Sequence, residues 1–127
     1  MDLLQELEVW YIIPAIRKEI AMAMIDNGIR QVEVAKRLGV TKSAVNQYFK
    51  DKRGNDVQLT PKVKDSIKSY VNSINDPKDS VRAIQSLLNL AREEKIACSV
   101  HKNIDKSFDN CNLCFEPHLI QIGDKKQ

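Results

Sequence analysis

Apolar residues recur at three- and four-residue spacing through most of the chain, which is the period of helices packed on one face. Ile13, Ile16, Ile20, Ala23 and Met24 form one such stripe, and Asn27-Gly28 ends it. Pro14 suits the first turn of that helix, so the spacing predicts a start near residue 14, after a short amphipathic segment from Asp2 to Trp10. Thr60-Pro61 pairs a cap with a proline at the first helical position, and Val63, Ile67, Tyr70, Val71 and Ile74 follow as a second stripe. Asp76-Pro77 repeats the signal, with Asp79 as a carboxylate in the first turn, and opens a helix predicted to reach about Lys95. In that last helix Val81, Ala83, Ile84, Leu87, Leu88, Leu90 and Ala91 spread over more than one face, so it is expected either deep in the core or on a partner surface as well. From Ile96 onward the period fades into an irregular tail.

Residues 31–49, QVEVAKRLGVTKSAVNQYF, carry the most specific pattern. Val34, Ala35, Leu38, Val40, Val45 and Tyr48 fall where two short helices crossing steeply would bury them together, and Gly39 falls where the turn between them needs a positive φ. Ala35 is small at the expected close approach, and Thr41 can cap the second helix. That helix then leaves Lys42, Ser43, Asn46 and Gln47 on its free face. Lys suits guanine acceptors, Asn and Gln pair bidentately with adenine, and Ser serves several acceptors.

Composition supports an all-α chain and localises its charge. The 127 residues include only four glycines and four prolines, too few for the turns of a sandwich or barrel, and the 43% hydrophobic content suffices for one modest core. The architecture predicted is a bundle of about five helices with a short irregular C-terminal tail. It divides into a helix-turn-helix domain over 1–75, a C-terminal helix over 76–95 available for dimerisation, and a Cys/His tail over 96–127. Net charge is only +3, but residues 28–68 hold ten basic and four acidic side chains, whereas residues 1–27 hold two and five. Excess positive charge confined to the motif and its flanks, with Lys50, Lys52 and Arg53 directly after the second motif helix, is the footprint expected where phosphates are neutralised.

This stretch resembles the XRE or Cro/repressor class of helix-turn-helix regulators, and LGVTKSAVNQYFKDKRG is similar to the version in archaeal regulators with a cysteine-rich C-terminus. The resemblance covers roughly residues 10–56 well and the tail more loosely. The resemblance implies a regulator that reads double-stranded DNA in a sequence-specific way; because one reading helix contacts only a few base pairs, a homodimer is expected. It also implies that Gln31 contacts phosphate and braces the second helix while Lys42, Ser43 and Gln47 face bases. The DNA-facing set is then Gln31, Thr41, Lys42, Ser43, Asn46, Gln47, Lys50, Lys52 and Arg53.

All three cysteines lie in the tail, as Cys98-x2-His101 and, nine residues on, Cys111-x2-Cys114. Two short-spaced pairs supply the four donors of a tetrahedral Cys3His site, for which zinc is the default. An iron–sulfur cluster stays open, though three thiolates are few for one, and His118 rivals His101. Neither a signal peptide nor a membrane span is expected, which places the chain in the cytoplasm. No Gly-rich phosphate loop, nucleophile motif or small-molecule site is apparent, and no enzyme is predicted. Two other readings remain: a helical hairpin that docks on protein as an adaptor, and a thiol redox protein using Cys111 and Cys114.

Overall fold

A computed structural model describes residues 3–50, 57–98 and 100. Among these the chain is all helical: α1 (Leu4–Leu7), a π turn (Glu8–Ile12), α2 (Ile13–Asp26), α3 (Gln31–Leu38), α4 (Lys42–Lys50), α5 (Pro61–Val71) and α6 (Pro77–Glu93).

α2 starts at Ile13 with Pro14 in its first turn, as the spacing predicts, but helical structure already begins ten residues before Pro14, at Leu4. Leu3 N–H donates to the Glu6 carboxylate at 2.8 Å, and α1, the π turn and α2 run on as one rod. A proline inside a helix has no N–H to donate and crowds the carbonyl four residues back. The wider turn directly ahead of Pro14, in which Ile13 N–H bonds the Glu8 carbonyl, accommodates it within a continuous helix. Inserting one residue also resets the buried face. Leu7 and Ile12, five apart, are both buried, and the stripe then continues at four-residue steps through Ile16, Ile20 and Met24.

The same shift turns Glu8 inward, where only 4% of it is exposed. Its carboxylate is met by a two-pronged bond from Arg92 on α6, with Nε to Oε2 at 2.7 Å and a terminal nitrogen to Oε1 at 2.9 Å. The bond to Glu8 raises the Arg92 pKa further above its already high ordinary value, so the clasp keeps its cation at every accessible pH.

The remaining helix ends follow local chemistry. Thr60 accepts from Val63 N–H at 3.3 Å to start α5. Asp76 accepts from Asp79 N–H at 2.8 Å to start α6, while Asp79 reaches back to Asn75 N–H at 3.1 Å. α2 forms the central strut and packs against α3, α4, α5 and α6.

Of the two placements expected for the last helix, the core one holds, while one expectation about the C-terminal part is corrected. Leu87 and Leu88 are buried with Ile84 and Ala91 against the chain's own helices, and Leu90 is half-buried, so these leucines fill this core rather than a partner surface. The fold also does not end at residue 95. Lys95, at φ 55°, breaks α6, and residues 96–98 and 100 are again helical, with Ile96, Ala97 and Val100 in the core. Three apolar residues are too few to display a period, which is why this turn read as irregular tail.

Candidate nucleic-acid interface

α3 and α4 form the hairpin anticipated from residues 31–49, and both boundaries have identifiable causes. α3 begins after Arg30 in extended conformation, immediately beyond a turn in which Gly28 (φ 90°) lets Ile29 N–H reach the Met24 carbonyl at 3.0 Å. It ends the same way. Gly39 (φ 72°) lets Val40 N–H reach Ala35 O at 3.0 Å while its own N–H bonds Lys36 O at 3.3 Å, so two carbonyls that the helix would leave bare are satisfied. Thr41 Oγ1 then accepts from Ala44 N–H at 3.0 Å, capping α4 as expected.

The turn is braced from outside the motif. A Cβ built on Gly39 would stand 3.1 Å from Cβ of Pro77, the first residue of α6, whereas one on Gly28 would meet nothing within 4 Å. Gly39→Ala is therefore expected to cost more than Gly28→Ala. The left-handed conformation costs each about 1–2 kcal/mol, and only residue 39 must also displace Pro77. Urea unfolding of the two variants measures the difference, and equal losses would show that Pro77 does not brace the turn.

Val34 and Val45 are fully buried and Ala35 and Leu38 nearly so, while Val40 and Tyr48 are half-buried at the edge. Lys42, Ser43, Asn46, Gln47 and Lys50 are all exposed, as is Thr41, so among the described residues nothing covers the polar face of α4. Gln31 is half-buried at the first position of α3. Phe49 departs from the expected apolar face, being 39% exposed at the flank of α4, and Val32 is exposed on α3. Lys52 and Arg53 lie outside the described residues. So do His101, Cys111 and Cys114; Cys98, the described member of that set, is half-buried in the turn anchored by Ile96 and Ala97.

Arg17 on α2 carries no signal in the sequence pattern. Among the described residues its Nε is buried without a hydrogen-bond partner, and its charge offsets part of the rise that burial imposes on the Tyr48 phenol. Arg17 thus lies near the inner side of α4, but no periodicity marks an arginine on a helix flank as buried. On α3, Arg37 Nε bonds the Glu33 carboxylate at 2.9 Å and holds that carboxyl below its ordinary pKa. The pair is therefore complete at neutral pH and is lost in acid as Glu33 takes up its proton.

Residues 20–54 match the helix-turn-helix family model HTH_3, a span that takes in the end of α2, both motif helices and the turn between them. The chain thus carries a helix-turn-helix domain of this type. Comparison with curated proteins and with solved structures returns no match. Among the described residues no helix is long and apolar enough to cross a membrane.

Proposed function

We propose that this chain is a sequence-specific regulator that lays α4 in the major groove of double-stranded DNA. The observation that carries the reading is the free face of α4. Five groups able to bond base edges or phosphates stand exposed on one helix whose opposite side is fixed by Val45 and whose first turn is capped by Thr41. A matched helix-turn-helix domain and the positive excess of residues 28–68 support the same partner.

In this reading Ser43, Asn46 and Gln47 face base edges, Lys42 reaches a base or the neighbouring backbone, and Lys50 lies over phosphate with Lys52 and Arg53. Gln31 holds a phosphate at the start of α3, where backbone N–H groups also point outward. One short helix reaches few base pairs. We therefore assign the operator as an inverted repeat bound by two copies, with half-sites about one duplex turn, roughly 34 Å, apart. Fluorescence anisotropy against duplex DNA tests the electrostatic part. If about four phosphates are neutralised, affinity falls roughly a hundredfold between 50 and 200 mM salt. Binding indifferent to salt, together with capture by a protein partner, would instead favour the adaptor reading.

A further inference from the structure

α2 packs directly on α4, and at that contact the fold keeps a cation with no counter-charge. Arg17 is half-buried on α2 and close enough to α4 for its charge to act on the Tyr48 phenol. Among the described residues it makes no hydrogen bond or ion pair. Its Nε is shut off from water with no acceptor. The two terminal nitrogens are equally unpartnered but are not shut off, so the guanidinium fork opens to solvent. A positive group held partly out of water with nothing to neutralise it is a standing cost, which a bound anion would relieve.

The place of this fork selects the anion. The major groove is about 12 Å wide and a helix with its side chains is about 10–12 Å across, so residues on the flanks of a helix in the groove meet the phosphate walls. Tyr48 stands on such a flank, half-buried on the side of α4 that faces the bundle and next to the exposed Gln47. We infer that Arg17 binds a phosphate of the duplex backbone through its terminal nitrogens, with the Tyr48 hydroxyl donating to the same phosphate. The inference rests on α4 as the reading helix. A guanidinium fork matches two phosphate oxygens at once, and the bonds are charge-assisted, the stronger class. Burial holds the Tyr48 phenol above its ordinary pKa, so the hydroxyl keeps the proton it donates. α2 thereby joins the interface as a second element, gripping the wall of the groove while α4 reads its floor.

Fluorescence anisotropy of the full chain against selected and random duplex over a series of salt concentrations reads this contact. Arg17→Met and Arg17→Gln are each expected to lower the slope of log affinity against log salt by about one and to weaken binding about tenfold at 0.1 M salt, the weight of one neutralised phosphate. Selected and random duplex should lose the same factor, because a phosphate carries no sequence. Arg17→Lys keeps the charge without the fork, so it should retain the slope and lose part of the affinity. Tyr48→Phe should weaken binding at unchanged slope, and only while Arg17 is present. Since the Arg17 Nε has no partner to lose, a thermal melt should find Arg17→Met and Arg17→Gln as stable as the parent. A parent-like slope in both variants, or a loss confined to the selected duplex, would overturn the inference and leave α4 as the reader. Salt-independent binding by the parent chain would remove the reading of α4 itself, and this inference with it.

Discussion

Arg92→Met is expected to destabilise the fold by about 2–4 kcal/mol, because it leaves the Glu8 carboxylate buried with no counter-charge. The reciprocal change should be milder. Arg92 has 43% of its side chain exposed against 6% for Glu8, so in Glu8→Met the guanidinium can turn to water, at a cost of about 1–2 kcal/mol. The double variant should recover most of the loss, since two apolar side chains of similar volume can replace a buried pair at little net cost. Urea unfolding of all four proteins closes the cycle and isolates the coupling between the two sites. Equal losses for the two single variants, adding in the double, would mean that the clasp does not hold the first helix to α6.

The clasp joins elements that no local sequence signal connects. The motif was legible because its signals are local. Gly39 and Gly28 need left-handed backbone, Thr41, Thr60 and Asp76 cap the helix that follows each of them, and Val34, Ala35, Leu38 and Val45 keep a period that only one crossing satisfies. The exposed polar face of α4 followed from the same period. Glu8 was illegible because its burial depends on one extra residue in the turn before Pro14 and on a partner 84 positions away. The brace of Pro77 on Gly39 joins separate elements in the same way. Leu87 and Leu88 left two placements open for a related reason: an apolar excess on a helix reads alike whether the neighbours that cover it come from the same chain or another.

Gln47→Ala is expected to reduce discrimination between the selected operator and random duplex by about 1–3 kcal/mol, up to roughly a hundredfold, since a bidentate amide pairs with one base and rejects the others. Ser43→Ala should act in the same sense with a smaller effect, having one hydroxyl to lose. Lys50→Ala should differ in kind. It should weaken specific and random duplex nearly alike and lower the salt slope by about one, the signature of a lost phosphate contact. All three side chains are exposed, so stability should be unchanged and affinity can be read without correction for unfolding. If Gln47→Ala and Lys50→Ala had the same profile, the division of α4 into base-facing and backbone-facing positions would not hold.

Selection of bound duplexes from a random pool, followed by anisotropy of the winning site against a scrambled one at fixed salt, tests the central claim most directly. The account predicts an inverted repeat, bound at least about a thousandfold more tightly than the scrambled duplex. It also predicts that this preference shrinks in Gln47→Ala while persisting in Lys50→Ala. Failure of any sequence to rise above the pool, or a preference untouched by Gln47→Ala, Ser43→Ala and Asn46→Ala together, would contradict the assignment of α4 as the reading helix.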